Sequence, residues 1–361
     1  MLQANGSAGA EAVERWPHTH EVTGPNLPEH RVWLGLPAMR GRVRILREAE
    51  VRAALDMASC IAACREAFVA YSAGRAELPG VIHLDVPEAR GEIHVKAGHL
   101  HGAPFYAVKA ASGFYDREPA AIDGLVAVFD ALDGSPAAIL LDNGFVTDQR
   151  TGAAGGVAAG ELAPAATRVV AVIGTGIQAR RQVEALRVVR PDLSELRIWG
   201  RDPARASRCA ADVRELVDEG CTVSVAASVR DAVEEADVVV TCTASRDPLV
   251  EASWLGAGVH VTALGSDGSG KRELDPEILR RADVLAVDSR DQCARLGELQ
   301  HAPDQVSRAV ELGALIAGEA AGRTGEGQLT VCDLTGVGVQ DVAAANVVLA
   351  RAGDAGETIE L

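Results

Sequence analysis

Apolar and polar positions recur with two different periods along this 361-residue chain, and the change of period divides it. After a short strand, VRIL, that follows Arg42, apolar residues over Glu48–Gly74 return every three or four positions, the spacing of a helix face. Five strand-like segments follow, Val81–Leu84, Glu92–Ala97, Phe105–Ser112, Leu125–Asp130 and Ala137–Asp142, separated by turns such as HGAP and LDGSP. That region predicts a mainly antiparallel sheet with a helix packed on it. Thr147–Ala163 predicts a helix of small residues with Thr147 as its N-cap. Apolar strands then alternate with helical stretches: Val169–Ile173, Arg197–Trp199, Thr222–Val225, Ala236–Thr243, Val259–Leu264 and Val284–Val287. This rhythm predicts a doubly wound parallel sheet. Past residue 300 the pattern is helical again, with a glycine-rich loop at Asp333–Gln340 and a closing helix, Asp341–Arg351, expected to return to the first region.

The expected class is therefore α/β, a Rossmann-type doubly wound sheet inserted in an α+β domain. The expected boundaries are an extension over residues 1–41, the first part of the outer domain over 42–149, the parallel-sheet domain over 150–312 and returning helices over 313–361. Residues 1–41 hold four prolines, at positions 17, 25, 28 and 37, and little periodicity. Their histidines, His18, His20 and His30, have no cysteine or carboxylate cluster beside them, and no metal site is expected from the sequence.

Charge narrows the class of partner. A formal net charge of −16 argues against nucleic acid and against an anionic membrane surface. Seven cysteines without a paired spacing suggest a reducing, cytoplasmic setting, and Cys60 and Cys64, one turn apart, suit a buried helix face. No apolar run reaches the length of a membrane span, and no secretory signal is read at the N-terminus.

The chemistry concentrates in three places. Val169–Ile173 runs straight into Gly174-Thr175-Gly176-Ile177-Gln178-Ala179, a G-x-G-x-x-A turn between a strand and a helix. There Gly174 allows the turn, Gly176 admits a pyrophosphate, and Ala179 lets the helix pack closely. The next strand ends in Trp199-Gly200-Arg201-Asp202, where an acid would accept the 2′-hydroxyl of NAD(H). Arg201 at this point favours NADP(H) over NAD(H), while Asp202 keeps both open. A second glycine-rich loop, Leu264-Gly265-Ser266-Asp267 through Lys271, leaves the ligand-binding edge of the sheet. Asp267 there is either an acid–base group beside a nicotinamide or an Asx turn. Lastly, Lys96, Lys109 and Arg150 are cations in strand or helix positions. Lys109, in an apolar strand, either meets an internal acid or faces a cleft and holds a substrate carboxylate. Arg150, read as first-turn, is disfavoured there by the helix dipole, which a bound anion would offset.

TDQRTGAA, VIGTGIQAR, GSDGSGKREL and DLTGVGVQD, in this order, resemble the ornithine cyclodeaminase/mu-crystallin family over about residues 42–350. The resemblance implies a split substrate and dimerisation domain around a dinucleotide domain, and a homodimer acting on a small amino or imino acid. It implies that Lys109 and Arg150 bind the substrate carboxylate, with Arg150 and the adjoining Thr151 near the cofactor. Ile177 and Gln178 would meet the pyrophosphate and Thr243 the ribose. Leu264 to Asp267 would line the nicotinamide, Lys271 would assist the cofactor, and Thr335 would close the pocket. Asp267 matches the aspartate that the cyclodeaminases use and the crystallins lack, so Asp267 and Lys109 are the catalytic candidates.

One departure stands out. Where the cyclodeaminases carry an arginine, this chain reads Pro79-Gly-Val-Ile-His83, which moves a substrate contact to His83 or Lys96. That variant, with GEIHVKAG and DLTG, looks like the subgroup found in ectoine utilisation and iminosuccinate reduction. The leading expectation is an NAD(P)-dependent reductase of a 2-imino acid, with Asp267 supplying the nitrogen proton. A cyclodeaminase releasing ammonia and a non-catalytic dinucleotide-dependent binder are the alternatives.

Overall fold

A computed structural model describes residues 41–114 and 121–361. The expected extension, but for Gly41, lies outside the described residues. The first region contains strands β1 (Arg42–Arg47), β2 (Ala76–Glu77), β3 (Ile82–Val86), β4 (Gly91–Leu100), β5 (Phe105–Phe114), β6 (Ala121–Asp130) and β7 (Pro136–Leu141). Its helices are α1 (Glu48–Ala54), α2 (Met57–Ser72) and α3 (Phe145–Leu162). β3 to β7 pair antiparallel along the chain, and β1 joins β7 in parallel.

The single helix expected over 48–74 is two. Asp56 interrupts it, its carboxylate accepting the Ser59 N–H at 2.8 Å as an N-cap. Cys60, Cys64, Ala67 and Phe68 then form the buried stripe of α2 at helical spacing. α3 begins at Phe145, two residues before the expected cap, because the Asp142 carbonyl and carboxylate accept the N–H groups of Phe145 and Val146. Thr147 is thus inside the helix, and Arg150 stands in its second turn, clear of the unfavourable end of the dipole.

The second region is a parallel sheet of β8 (Val169–Ile173), β9 (Glu195–Trp199), β10 (Thr222–Val225), β11 (Val238–Thr241), β12 (His260–Ala263), β13 (Val284–Val287), β14 (Val310–Glu311) and β15 (Thr330–Asp333). The order is β10-β9-β8-β11-β12-β15-β13-β14, a doubly wound arrangement of the Rossmann type. Among its helices are α4 (Ile177–Val189), α5 (Pro203–Arg214), α6 (Val229–Val233), α7 (Pro276–Arg281), α8 (Arg290–Leu296) and α9 (Leu312–Ile316). α3 packs along α4 and α2, tying this layer to the first sheet.

The tail departs from expectation in one respect. β15, four buried residues taken from the supposedly helical tail, lies between β12 and β13, so the parallel sheet reaches beyond residue 312. Its Thr330 hydroxyl meets the buried imidazole of His260 at 2.9 Å, a polar pair closed within the sheet. Only α10 (Gly338–Arg351) and β16 (Glu357–Glu360) return, α10 onto α2, β4 and β5, and β16 antiparallel to β1. Among the described residues no helix is long and apolar enough to cross a membrane.

Candidate active site

Lys96 on β4 and Lys109 on β5 are direct cross-strand partners, so both ammonium groups leave the same face of the sheet. That face is covered by α10, whose first turn carries Asp341. The Asp341 Oδ1 atom accepts from Lys109 Nζ and from Arg150 Nε, each at 3.0 Å, and all three side chains are almost fully buried. Lys96 Nζ donates to the carbonyls of Thr335 at 3.2 Å and Gly336 at 2.7 Å. Of the two readings of Lys109, the internal acid is therefore the one found, and Arg150 shares it. Burial, reinforced by the Arg150 charge, pushes Lys109 down to about 7, against the pull of Asp341. Lys96 falls for the same two reasons. Asp341 stays below the carboxylate range because the three cations outweigh its burial. Its second oxygen has no partner among the described residues.

Thr335 belongs to the loop between β15 and α10, and the Asp288 carboxylate at the end of β13 fixes that loop. Asp288 accepts the N–H groups of Thr335 and Gly336 at 2.9 and 2.6 Å and the Thr335 hydroxyl at 3.0 Å. Gln292 on α8 adds a bond to the same hydroxyl at 2.9 Å. Pinned in this way, the loop turns its carbonyls toward Lys96.

Asp267 lies beyond β12, partly exposed, with Lys271 Nζ at 2.8 Å from its Oδ1. Lys271 also stands 3.6 Å from Glu92 of β4, which ties this loop to the first sheet. Burial would raise Asp267, but Lys271, aided by Lys96 and His94, holds it below its ordinary value. It is a carboxylate, not a stored proton. The loop is anchored by the buried Glu273, which accepts from Thr241 Oγ1 at 2.8 Å, the Thr243 N–H at 2.5 Å and the Gly265 N–H at 2.8 Å. Desolvation raises Glu273 to about 7. Ser266 points inward, its hydroxyl on the Lys271 carbonyl at 2.8 Å, so it shapes the loop from behind. Leu264 is buried at the end of β12.

The β8–α4 turn has the form of a phosphate cradle. Gly174 sits at φ +139°, and a Cβ there would lie 2.6 Å from Cys242 Sγ and 2.7 Å from the Cys242 carbonyl. Gly176 is the N-cap of α4, with open space where a side chain would be. Thr175 packs against Gly200, and the Gln178 amide reaches the Asp148 carbonyl at 3.4 Å. Thr151 of α3 bonds back to the Thr147 carbonyl, and its own carbonyl accepts from Gln182 of α4. At the end of β9, Arg201 is exposed, while Asp202 caps α5 by accepting from Ala204 and Arg205 N–H groups. The residues present fit a dinucleotide, with the free N–H groups at the start of α4 positioned for its phosphates.

His83 is apart from this cluster, on the outer strand β3. It contacts His94 and Asp85 and is linked to the centre through His94, Glu92 and Lys271. Sequence reasoning missed Asp341, Asp288, Glu273 and Glu92 as parts of the site. Asp341 had a legible signal, an acid in the first turn of the apolar run VQDVAAANVV. Asp288 had one as well, an acid ending the apolar strand VLAV at the ligand edge.

The chain and its fold have relatives among known proteins. The family model for the ornithine cyclodeaminase/mu-crystallin family matches residues 42–356. The chain belongs to this family. Within it, an uncharacterized cyclodeaminase of Sinorhizobium fredii is 40% identical over 86% of this chain and 96% of that protein. An archaeal alanine dehydrogenase dimer with bound NAD superposes with a TM-score of 0.81 at 32% identity, covering 89% of this chain and 99% of that one. The iminosuccinate reductase of Paracoccus denitrificans in complex with NAD+ gives 0.79 at 27% identity, covering 89% of this chain and all (100%) of that one. The family thus holds nicotinamide-linked oxidoreductases beside cyclodeaminases.

Proposed function

We propose that this family member is a nicotinamide-dependent oxidoreductase that reduces a 2-imino acid to the L-amino acid, with a dicarboxylic imino acid such as iminosuccinate as substrate. The observation that carries this reading is that Lys109 and Arg150 share one carboxylate oxygen of Asp341, with Lys96 directly across from Lys109 on the same sheet face. Lys96 donates to backbone carbonyls, with Asp267 and Asp288 acting on it from further off, so one or two substrate carboxylates would find cationic partners here.

In this reading Lys109 and Arg150 grip the α-carboxylate, and Lys96, released in part from its two carbonyls, takes the distal one. Asp267, kept ionised by Lys271, accepts a hydrogen bond from the iminium N–H and so favours the protonated, electrophilic imine. The cofactor, when bound, supplies the hydride to the imine carbon. The neutral amine that results takes up one proton to leave as the ammonium, and Asp267 relays it from solvent. Supplying the proton at the outset, the role expected from sequence, does not suit a group whose pKa is lowered.

The N–H groups of Gly176, Ile177 and Gln178 would hold the pyrophosphate and Thr243 the ribose. NADP(H) is favoured over NAD(H), because Asp202 is engaged as a helix cap and Arg201 is open to a 2′-phosphate. The protein would act as a homodimer, and its seven unpaired cysteines suit the cytoplasm. Oxaloacetate with ammonia should oxidise NADPH, and NADH less efficiently, with aspartate as product. Proline and ammonia from ornithine without net cofactor change would overturn the reductase reading.

A further inference from the structure

We propose that the β3–β4 hairpin carries a site for a divalent transition-metal ion such as zinc or cobalt, held by His83 Nδ1, His94 Nε2 and a carboxylate oxygen of Glu92. The pleat assembles it. His83 lies directly opposite His94, and Asp85 directly opposite Glu92, so the period of two brings all four side chains to one face. The three ligand atoms lie within 4.8 Å of one another. His83 Nδ1 is 3.2 Å from His94 Nε2, which is 3.8 Å from Glu92 Oε2. Around an ion with bonds of about 2.0–2.1 Å, tetrahedral ligand atoms stand roughly 3.3 Å apart. The observed separations bracket that spacing.

Asp85 decides the tautomer. Its Oδ1 stands 3.0 Å from His83 Nε2, and a carboxylate only accepts, so that nitrogen carries the proton. In the neutral ring Nδ1 then presents its lone pair toward His94 and Glu92. A carboxylate behind a ligating imidazole is the usual support of such a site. Two imidazoles and one carboxylate suit zinc, cobalt or nickel better than magnesium or calcium. The half-exposed His83 side chain gives the ion a path in from solvent. Lys271 opposes the ion, but it lies on the other oxygen of Glu92, at 3.6 Å, and is held more closely by Asp267 at 2.8 Å. Occupancy would shift the Glu92 charge toward the metal and leave Lys271 to Asp267, so the site would bear on the acid of the proposed reaction without depending on that reaction.

The test uses the full-length protein after treatment with a chelator. Calorimetric titration with Zn²⁺ should show one ion per chain, and Co²⁺ should give the visible absorption of a four-coordinate site. Asp85→Asn should weaken binding by about tenfold to a hundredfold, and His83→Ala with His94→Ala should abolish it. Zn²⁺ should raise the urea midpoint of the wild type and leave that of the double variant unmoved. Matching midpoints without metal would establish that both are folded. Absence of saturable uptake by the wild type would overturn the proposal, as would uptake retained by the double variant. The cluster would then be a hydrogen-bonded His83–His94 pair flanked by Asp85 and Glu92.

Discussion

Asp341 balances more buried charge than any other acid at the site, since Lys109 and Arg150 both end on its Oδ1. Asp341→Asn would leave those cations uncompensated and should cost about 3–5 kcal/mol of stability, read from urea unfolding. Adding Lys109→Met should recover part of that loss, because one of the stranded charges is removed. An unchanged midpoint in the single variant would mean that the three cations do not depend on this carboxylate. Lys109 also sets a pH dependence. Its value in the folded chain is about 7, against an ordinary 10.5, so between these limits the unliganded site holds a neutral amine. A bound carboxylate favours the ammonium and draws in a proton. Substrate affinity should therefore be level below pH 7 and weaken above it, by up to about tenfold per pH unit. Titration in two buffers of different ionisation enthalpy should show the proton uptake. Affinity that stayed level from neutral to alkaline pH would exclude Lys109 as the carboxylate ligand.

Between elements, the decisive contact is α3 against α4, since it sets the helix that bears Arg150 along the helix that follows the glycine turn. Glycines set how closely the two helices approach. A Cβ at Gly152 would lie 2.8 Å from Arg181 Cβ and 2.9 Å from its carbonyl oxygen, so Gly152→Ala forces the helices apart. A loss of about 1–3 kcal/mol is expected from overpacking, in spite of the gain in helix propensity. Gly160, on the same helix, would meet only Val189 at 3.8 Å, an ordinary contact. Gly160→Ala should therefore be neutral or stabilise by roughly 0.5–1 kcal/mol. Thermal melts of the two variants separate packing from propensity, and equal shifts would deny the close approach. The sequence of α3 displays small residues without naming the neighbour that requires them. Periodicity likewise could not find the break at Asp56, because the apolar spacing on both sides of it fits one helix.

At the scale of the molecule, the parallel sheet takes an unbroken run of the chain from β8 to β15, and that run ends later than residue 312. β15 is a central strand of the parallel sheet, yet it comes after α9 and just before the helix that returns to the first sheet. A chain ended at residue 312 would lose β15, α10 and β16 together, opening the sheet between β12 and β13 and uncovering the face that bears Lys96 and Lys109. Such a truncation should lack cooperative unfolding by circular dichroism. Cooperative unfolding with native-like sheet content would mean that the parallel sheet closes without β15.

The sequence by itself determined the local features: the strand–glycine turn–helix at residues 169–179, the loop that bears Asp267, the buried stripe of α2, and the family, since each is written in neighbouring residues. It also made legible the cations Lys96, Lys109 and Arg150 as charges in positions that demand partners. What answered that demand was left to the tertiary structure. Asp341 is 232 residues from Lys109 in the chain and 191 from Arg150. Such pairings are set by how α10 lies across β4 and β5, and no spacing within the chain encodes that. The same holds for Asp288 beneath Thr335, whereas His83 and His94 meet through the register of a local hairpin. A buried charge has to find its counter-charge, and only the folded packing decides which one is within reach.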